Sequence, residues 1–299
     1  MTPGLSVCMI VRDEENNVGY ILRDIYPFAD EVIIVDTGSR DGTKQVVKDA
    51  CKSARIFDYV WTDSFSAARN FSIAQATCDH IMILDADDRM DLTNAQKVVD
   101  LKSKMDGQTA FLFYVDNPGF YSPSAIYRQV RVFPNLPGLR YRGRAHNEIM
   151  SAIEASGIKV EETDIFIEHR GYPDAETIRR KHDRTFAILS KEYEECKDDP
   201  RVTTYLGMHM LERQRTQEAI DYFLKTVALL EEKKSQKPWG LYIAYSNLAI
   251  AYSTLGNQME ASRWWKEFAQ LVAGHQAYMQ EAAELAEMLD LWEGVMRCA

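Results

Sequence analysis

The sequence predicts an α/β domain followed by an all-α domain, and three observations carry that expectation. Short apolar runs alternate with amphipathic stretches from Leu5 to Leu84. Carboxylate-rich and turn-forming segments follow the apolar runs instead of preceding them. Beyond Gly171 the strand-like runs cease and a helical spacing repeats itself. The chain has 299 residues, 46% hydrophobic and 27% charged, which leaves room for two cores. That composition excludes a disordered chain, a collagen-like fibre and a disulfide-stapled miniprotein.

Leu5-Ser6-Val7-Cys8-Met9-Ile10-Val11 reads as a buried strand, and the polar stretch Arg12 to Asn17 as a loop. Val18, Ile21, Leu22 and Ile25 mark one face of a helix that Pro27 stops. Glu31-Val32-Ile33-Ile34-Val35-Asp36 is the second strand. Thr37 to Thr43 is turn chemistry, with Asp41 the candidate N-cap of a second helix whose inner face carries Val46, Val47, Ala50 and Cys51. Arg55 to Tyr59 is strand three, Phe65 to Ala76 helix three and His80 to Leu84 strand four. This cadence calls for parallel pairing with right-handed crossovers. Such sheets bind ligands outside the carboxyl ends of their strands, where Arg12-Asp13-Glu14, Asp36-Thr37-Gly38-Ser39 and Asp85-Ala86-Asp87-Asp88 all belong. Ala110 to Val115 and Gln129 to Phe133 are strand-like again, punctuated by Pro118, Pro123, Pro134 and Pro137. Gly171-Tyr172-Pro173 reads as a boundary between domains 1–172 and 173–299.

In the second domain Leu206, Gly207, Met210, Ala219, Phe223 and Thr226 are echoed by Leu248, Ala249, Tyr252, Ala261, Trp265 and Phe268. The two sets share the offsets 0, 1, 4, 13, 17 and 20, and start 42 residues apart (Leu206 to Leu248). The alternation of small and large residues resembles the tetratricopeptide helix pair, whose period is about 34 residues, with an insertion around Glu231 to Pro238. Ala282, Leu285, Ala286, Leu289 and Trp292 mark a last helix that caps the array.

The chain carries 45 acidic and 35 basic residues, a net charge of −10 spread over both domains. Overall attraction to nucleic acid or an anionic membrane is therefore not expected. No apolar run reaches ~18 residues, so no membrane insertion is expected. Met1 to Gly4 lacks the basic start of a secretory signal. The five cysteines, Cys8, Cys51, Cys78, Cys196 and Cys298, form no CxxC pair and read as reduced core thiols of a cytoplasmic protein.

Asp85, Asp87 and Asp88 directly follow an apolar strand. Carboxylates so close repel one another unless solvent or a cation takes up the charge. Hard oxygens suit Mg²⁺ or Mn²⁺, which commonly join one or two carboxylates to substrate phosphates. Here the motifs add up. Ser6-Val7-Cys8-Met9-Ile10-Val11-Arg12-Asp13-Glu14 resembles the opening block of family 2 glycosyltransferases of the GT-A fold. Val35 to Thr43, Phe65 to Asn70 and Leu84 to Asp88 resemble their next three signatures. Arg131 to Asn135, Arg142 to Asn147 and His169-Arg170-Gly171-Tyr172 look like the later ones. The subgroup with a tetratricopeptide tail is the one it looks most like.

The resemblance implies a Rossmann-like open mixed sheet and an inverting transfer of sugar from a nucleoside-diphosphate sugar, expected to be a UDP-sugar. It implies that Val11, Asp13, Glu14, Asp36, Arg69, Asp85, Ala86 and Arg131 surround the donor. Asp36 would face the base or ribose, Arg69 the base or diphosphate, and Asp85 the ribose. Asp87 would ligate the divalent ion bridging the phosphates, with His169 a further metal or phosphate contact. An inverting transfer needs a base for the acceptor. Glu148 is placed first, with His146 and Asp88 as alternatives. His146-Asn147-Glu148 departs from the family's adjacent His-Glu pair, and Asp13 replaces its usual asparagine.

From Asn117 to Asn147 there is no acidic residue, while Arg128, Arg131, Arg140, Arg142 and Arg144 all occur. These arginines either meet donor phosphates or an anionic acceptor, or neutralise nearby aspartates. The acceptor class stays open between peptide, glycan precursor and modified nucleic acid, although no nucleic-acid-binding motif is present. The helical domain is expected to recruit the acceptor or form a homodimer. Two other classes compete: a catalytically weak scaffold, and a sugar-1-phosphate nucleotidyltransferase. The latter needs a glycine-rich loop after strand one, where this chain has Arg12-Asp13-Glu14 and no glycine before Gly19.

Overall fold

The computed structural model describes residues 3–117, 125–171, 174–232 and 238–273. Pro118, Pro123, Tyr172, Pro173, Cys298 and the last helix expected from Ala282 to Trp292 lie outside the described residues. The chain forms two compact units, Met1–Ile188 and Leu189–Ala299.

The first unit runs β1 (Leu5–Val11), α1 (Val18–Asp24), β2 (Glu31–Asp36), α2 (Thr43–Ala50), β3 (Arg55–Asp58), α3 (Phe65–Ala74) and β4 (His80–Ile83). It continues with β5 (Asp88–Arg89), α4 (Leu92–Leu101), β6 (Thr109–Asn117), β7 (Ala125–Pro134), α5 (Met150–Ala155) and β8 (Lys159–His169). Helix α6 (Ala175–Glu195) contains the division between units, C-terminal to the boundary expected at Tyr172-Pro173.

The eight-stranded sheet has the order β3-β2-β1-β4-β7-β6-β8-β5. β1 pairs in parallel with β2 and β4, and β2 with β3, as the strand-helix cadence predicts. β7 runs antiparallel to β4 and β6, and β8 lies between β6 and β5, so the whole sheet is mixed. Alternation along the strands feeds two apolar layers. Val7, Met9, Val32, Ile34 and Met82 face α1 and α4, whose Ile21, Leu22 and Val98 join them. Cys8, Ile33, Val35, Ile81 and Ile83 face the other side, with Ile73 of α3 and Ile153 of α5. The pattern reading did not pick out β5, α4, α5 or β8. β5 is two residues long, and the first residues of β8 are exposed, Lys-Val-Glu-Glu without apolar alternation.

Two smaller expectations need correction. Gly42, not Asp41, occupies the N-cap of α2. Asp41 still accepts the N–H of Thr43 at 3.0 Å, but its other oxygen accepts the N–H of Glu15 at 3.0 Å and ties two loops together. Cys196 is exposed and so no core thiol, whereas Cys8 is buried; both are free, as are Cys51 and Cys78.

The second unit pairs α7 (Pro200–Glu212) with α8 (Thr216–Glu232) and α9 (Pro238–Thr254) with α10 (Gln258–Ala273), and α8 also packs on α9. The buried positions are those of the repeat: Leu206, Met210, Ala219, Phe223 and Thr226, then Leu248, Ala249, Ala261 and Phe268. Gly207 lets the helices meet closely. In the second pair Ala249 stands at the equivalent place, and Trp264 is the buried ring while Trp265 is half-buried. These are the tetratricopeptide-like helix pairs expected from the spacing. Among the described residues no helix is long and apolar enough to cross a membrane.

A β-carbon at Gly207 would lie 2.7–2.9 Å from the Phe223 ring. Gly207→Ala is therefore expected to cost about 1–3 kcal/mol of overpacking, more than alanine's helix propensity returns. Urea unfolding followed by the helical circular-dichroism signal measures this; a variant as stable as the parent would refute the tight contact.

Candidate functional site

Parallel register sets the carboxyl ends of four strands side by side. Val11 lies opposite Asp36, Asp36 opposite Asp58, and Leu84 donates its N–H to Cys8 just beyond β4. The loops after β1 and β2 interlock. Asp13, in the left-handed region at φ 55°, accepts the N–H of Arg40 at 2.7 Å while its own N–H donates to Ser39 Oγ. Glu15 accepts the N–H of Gly42 at 2.7 Å, and Glu14 donates its N–H to Thr43 Oγ1. Gly42 leaves room for this bond, because a β-carbon would stand 2.8 Å from the Glu15 carboxylate and push it aside. Asp36 is buried. Its Oδ1 accepts the N–H groups of Gly38 and Ser39, both at 2.8 Å, while Oδ2 is buried without a hydrogen-bond partner. Beside it a shallow cavity of about 180 Å³ is lined by Asp36, Ser39, Lys44, Asp58, Tyr59 and Val60.

The acidic segment after β4 is held from below. Arg131 on β7 is 1% exposed; its guanidinium donates to Ile83 O and to Asp88 Oδ2, both at 3.1 Å, and lies 3.7 Å from Asp85. Asp88 is fully buried and also accepts the N–H of Asp85 at 2.8 Å. Arg69 of α3 bonds Asp85 at 2.7 Å and lies over the Tyr141 ring. Asn70 fixes that ring's backbone, accepting from Tyr141 N and donating to Tyr141 O, each at 2.8 Å. Burial opposes ionisation of Asp85, yet Arg69 and Arg131, with His169 and Lys181, hold its carboxyl down at about 2.

β8 brings His169 to this segment. Asp88 pairs with His169 in the ladder, and Arg170 donates its N–H to Asp87 O at 2.9 Å. His169 Nδ1 donates to Asp88 Oδ1 at 2.8 Å and lies 3.5 Å from Asp87 Oδ1. With Nδ1–H so engaged, a metal at this imidazole would be ligated through Nε2. Asp87 Oδ2, His169 Nε2 and Lys181 Nζ converge on Gly171: a β-carbon there would meet them at 2.5, 2.6 and 2.7 Å. Asp85, Asp88 and His169 also cluster within 4.8 Å of one another, but the Arg131 guanidinium already compensates the two carboxylates. Asp87 and His169, with side chains 9% and 13% exposed, form a second candidate pair for a divalent cation, and Lys181 stands 3.2 Å from the same Asp87 oxygen.

The family model for glycosyl transferase family 2 matches residues 6–150. The α/β unit is a family 2 glycosyl transferase domain. A TPR repeat-containing protein of Synechococcus elongatus is 37% identical over 147 residues, 49% of this chain and 35% of that protein. The SPbeta prophage-derived glycosyltransferase SunS of Bacillus subtilis is 24% identical over 234 residues, 76% of this chain and 54% of that protein. The chain thus spans about a third to a half of the curated relatives it matches. Among solved structures, S. aureus TarS 1-349 in complex with UDP-GlcNAc aligns with a TM-score of 0.52 at 11% identity, over 89% of this chain and 92% of that one. That likeness establishes the shared GT-A-like architecture.

Within the family 2 domain the expected residues gather unevenly. Asp36, Arg69, Asp85, Asp87 and His169 meet at the carboxyl edge. Ala86 joins Asp87, Asn17, Tyr20, Arg89 and Arg170 around a cavity of about 270 Å³. Val11 is buried in the apolar core, with its carbonyl taken by Thr37. Arg131 sits beneath the carboxylates and reaches the surface through them. Glu14 is half-buried; burial pushes its carboxyl up, Asn17 draws it down, and Asp87 raises it again. Of the base candidates, Asp88 is sealed in. Glu148 is bonded by Arg142 and accepts the N–H of Ser151 at 2.8 Å; despite burial these contacts hold its carboxyl low. His146 is exposed, at a left-handed φ of 44°. The arginine-rich stretch resolves mainly into pairing: Arg128 with Glu162, Arg131 with Asp85 and Asp88, Arg142 with Glu148. Lys181 and Asn70 were not singled out from sequence as site residues. Lys181 lies on α6 beyond the closing motif, and a lysine on a polar helix face carries no signal of its own.

Burial would lower the His169 pKa, but the Asp88 hydrogen bond and the charges of Asp87 and Asp88 raise it overall. A raised histidine stabilises the metal-free fold fully below its unfolded pKa of about 6.5 and loses that contribution as pH climbs through the folded value. The melting-temperature gap between the parent and His169→Gln, measured in EDTA, is expected to shrink from pH 5.5 to pH 8.5. A gap that widened with pH would contradict the ion pair.

Proposed function

We propose that this domain transfers a glycosyl group, with inversion, from a uridine-diphosphate sugar to an acceptor, using Mn²⁺ or Mg²⁺ held by Asp87 and His169. The observation that carries the reading is the convergence of Asp87 Oδ2 and His169 Nε2 on Gly171, at the sheet edge where Asp36 also lies. TarS, which shares the fold, has been solved with UDP-GlcNAc, and SunS is named a glycosyltransferase. Both names support the reading.

The unpartnered Oδ2 of Asp36, buried beside the smaller cavity, suits a base that presents an N–H at ring position N3, as uracil does and cytosine does not. Asp85, fixed by Arg69, would accept a ribose hydroxyl. When bound, the divalent ion supplies Lewis-acid stabilisation of the departing diphosphate. Arg69 contributes positive charge to the same end of the donor. The acceptor oxygen forms its bond to the anomeric carbon as the bond to the diphosphate oxygen breaks, and that electron pair leaves with the diphosphate. Attack from the opposite face inverts the centre, and the acceptor proton passes to a side-chain base. We place that base at His146, because Glu148 is already held by Arg142 and Ser151 and Asp88 is buried. The helical unit would recruit the acceptor, a use suited to the concave surfaces of helical repeats.

Thermal melting with UDP, CDP, GDP or dTDP, each with Mn²⁺ or EDTA, tests the donor site. Near 100-fold excess over its dissociation constant, a ligand adds about 2.7 kcal/mol. UDP with Mn²⁺ is expected to stabilise the parent and not Asp87→Asn; CDP is expected to do neither. Equal stabilisation by UDP in EDTA would remove the metal from the reading. Gly171→Ala is a sharper probe, since its methyl would press on three flexible side-chain ends: it should keep the parent's melting temperature within a few degrees while Mn²⁺ affinity falls at least about tenfold. Unchanged Mn²⁺ affinity would move the ion away from Gly171.

A further inference from the structure

Lys181 reaches the centre of the site from α6. Its ammonium lies 3.2 Å from Asp87 Oδ2, on the side chain that the metal would use, and its side chain is 24% exposed. Asp87 Oδ2, His169 Nε2 and Lys181 Nζ all lie within 2.7 Å of one point, the position of a β-carbon on Gly171. An ion ligated by the first two at about 2.0–2.2 Å falls within a few ångströms of that same point. A divalent ion there meets a like charge 3.2 Å from the same Asp87 oxygen, more positive charge than that one carboxylate offsets. A nucleoside diphosphate bridged to the ion brings the missing anion.

We propose that the Lys181 ammonium is a built-in counter-cation of this site: it neutralises Asp87 in the metal-free protein and moves to the donor's phosphate oxygens when a divalent ion takes Asp87 and His169. The inference rests on the metal reading above and adds a residue to it. It follows that Lys181 opposes the metal when the metal comes alone and favours it when diphosphate accompanies it. The ion and the donor then bind as a coupled pair, because each relieves what the other meets: the diphosphate supplies the ammonium with a new partner, and the ion releases the ammonium to it. Lysine suits this exchange better than arginine would, being a compact charge on a flexible stem.

Two titrations on the full chain separate this from a merely structural lysine. Mn²⁺ alone is titrated by the quenching of its free-ion electron paramagnetic resonance signal. Inorganic pyrophosphate is then titrated calorimetrically at saturating Mn²⁺, a probe that carries the phosphates without base or sugar. Lys181→Met is expected to bind Mn²⁺ alone about threefold or more tighter, and pyrophosphate about tenfold weaker, the loss of one charge-assisted contact. Lys181→Arg should recover most of the pyrophosphate affinity, and a melting curve for each variant in EDTA confirms that it is folded. If Lys181→Met weakened both ligands, or changed neither, the lysine would be a structural tether and the inference would be overturned. If Lys181→Met is unfolded, Lys181→Gln takes its place under the same two criteria. Failure of the parent to bind Mn²⁺ any better than Asp87→Asn would instead overturn the metal reading, and the role of Lys181 with it.

Discussion

A guanidinium with 1% exposure is tolerable only while the carboxylates around it stay ionised and close. Arg131 sets this condition for the acidic segment after β4. Its bond to Ile83 O fixes it to the end of the strand, its bond to Asp88 turns that carboxylate inward, and its proximity to Asp85 helps to keep the second one charged. Once Asp88 is committed below, its remaining oxygen is free to take the Nδ1–H of His169. The imidazole is thereby oriented with Nε2 toward Gly171, beside Asp87 Oδ2. One buried cation thus sets apart the two carboxylates it holds, Asp85 and Asp88, from Asp87, which meets His169 and Lys181 instead.

The same logic divides the site into two kinds of residue. Arg131, Asp88 and Asn70 lie behind the edge; they set the directions of Asp85, His169 and Arg69, the residues that the proposed function turns toward the donor. Rigid placement of this sort removes the cost of organising charges when a ligand arrives. It also explains why the arginine-rich stretch does not make a basic surface. Arg131 is spent inside the molecule on two carboxylates that would otherwise repel each other, and Arg128 and Arg142 are paired with Glu162 and Glu148 at the surface.

Much of this was legible in the chain. Short continuous apolar runs placed β1, β2 and β4 to within a residue, because strands buried on both faces leave a strong pattern. The Asp85-Ala86-Asp87-Asp88 segment and His169 were both picked out, and β5–β8 pairing joins them in space. The division of labour among the three aspartates was not legible. It depends on which oxygen Arg131 reaches, and a sequence does not say that an arginine lies below a motif instead of above it. Glu148 shows the same limit. As a residue type it qualifies as a base, but its partners Arg142 and Ser151 are settled by a bridge between Arg142 and Glu148 that no spacing announces. Lys181 escaped for a third reason: its role comes from the approach of a helix, and helix positions carry no signal about what lies opposite.

The two ends of the edge also differ in how much chain each must close. The interlocked loops beside Asp36 join residues 27 apart, as between Arg40 and Asp13. The other end joins residues 81 apart for His169 and Asp88, and 94 apart for Lys181 and Asp87. Loop-closure entropy grows with the logarithm of length, so the longer closure costs about 1 kcal/mol more than the shorter. The half beside Asp36 can therefore assemble from local chain alone, early and cheaply, whereas the half around Asp87 has to wait for β8 and α6 to be in place. A nascent or truncated chain ending before β8 would carry the interlocked loops, Arg69 and Asp87, but neither of the long-range partners, His169 and Lys181, that close the other end.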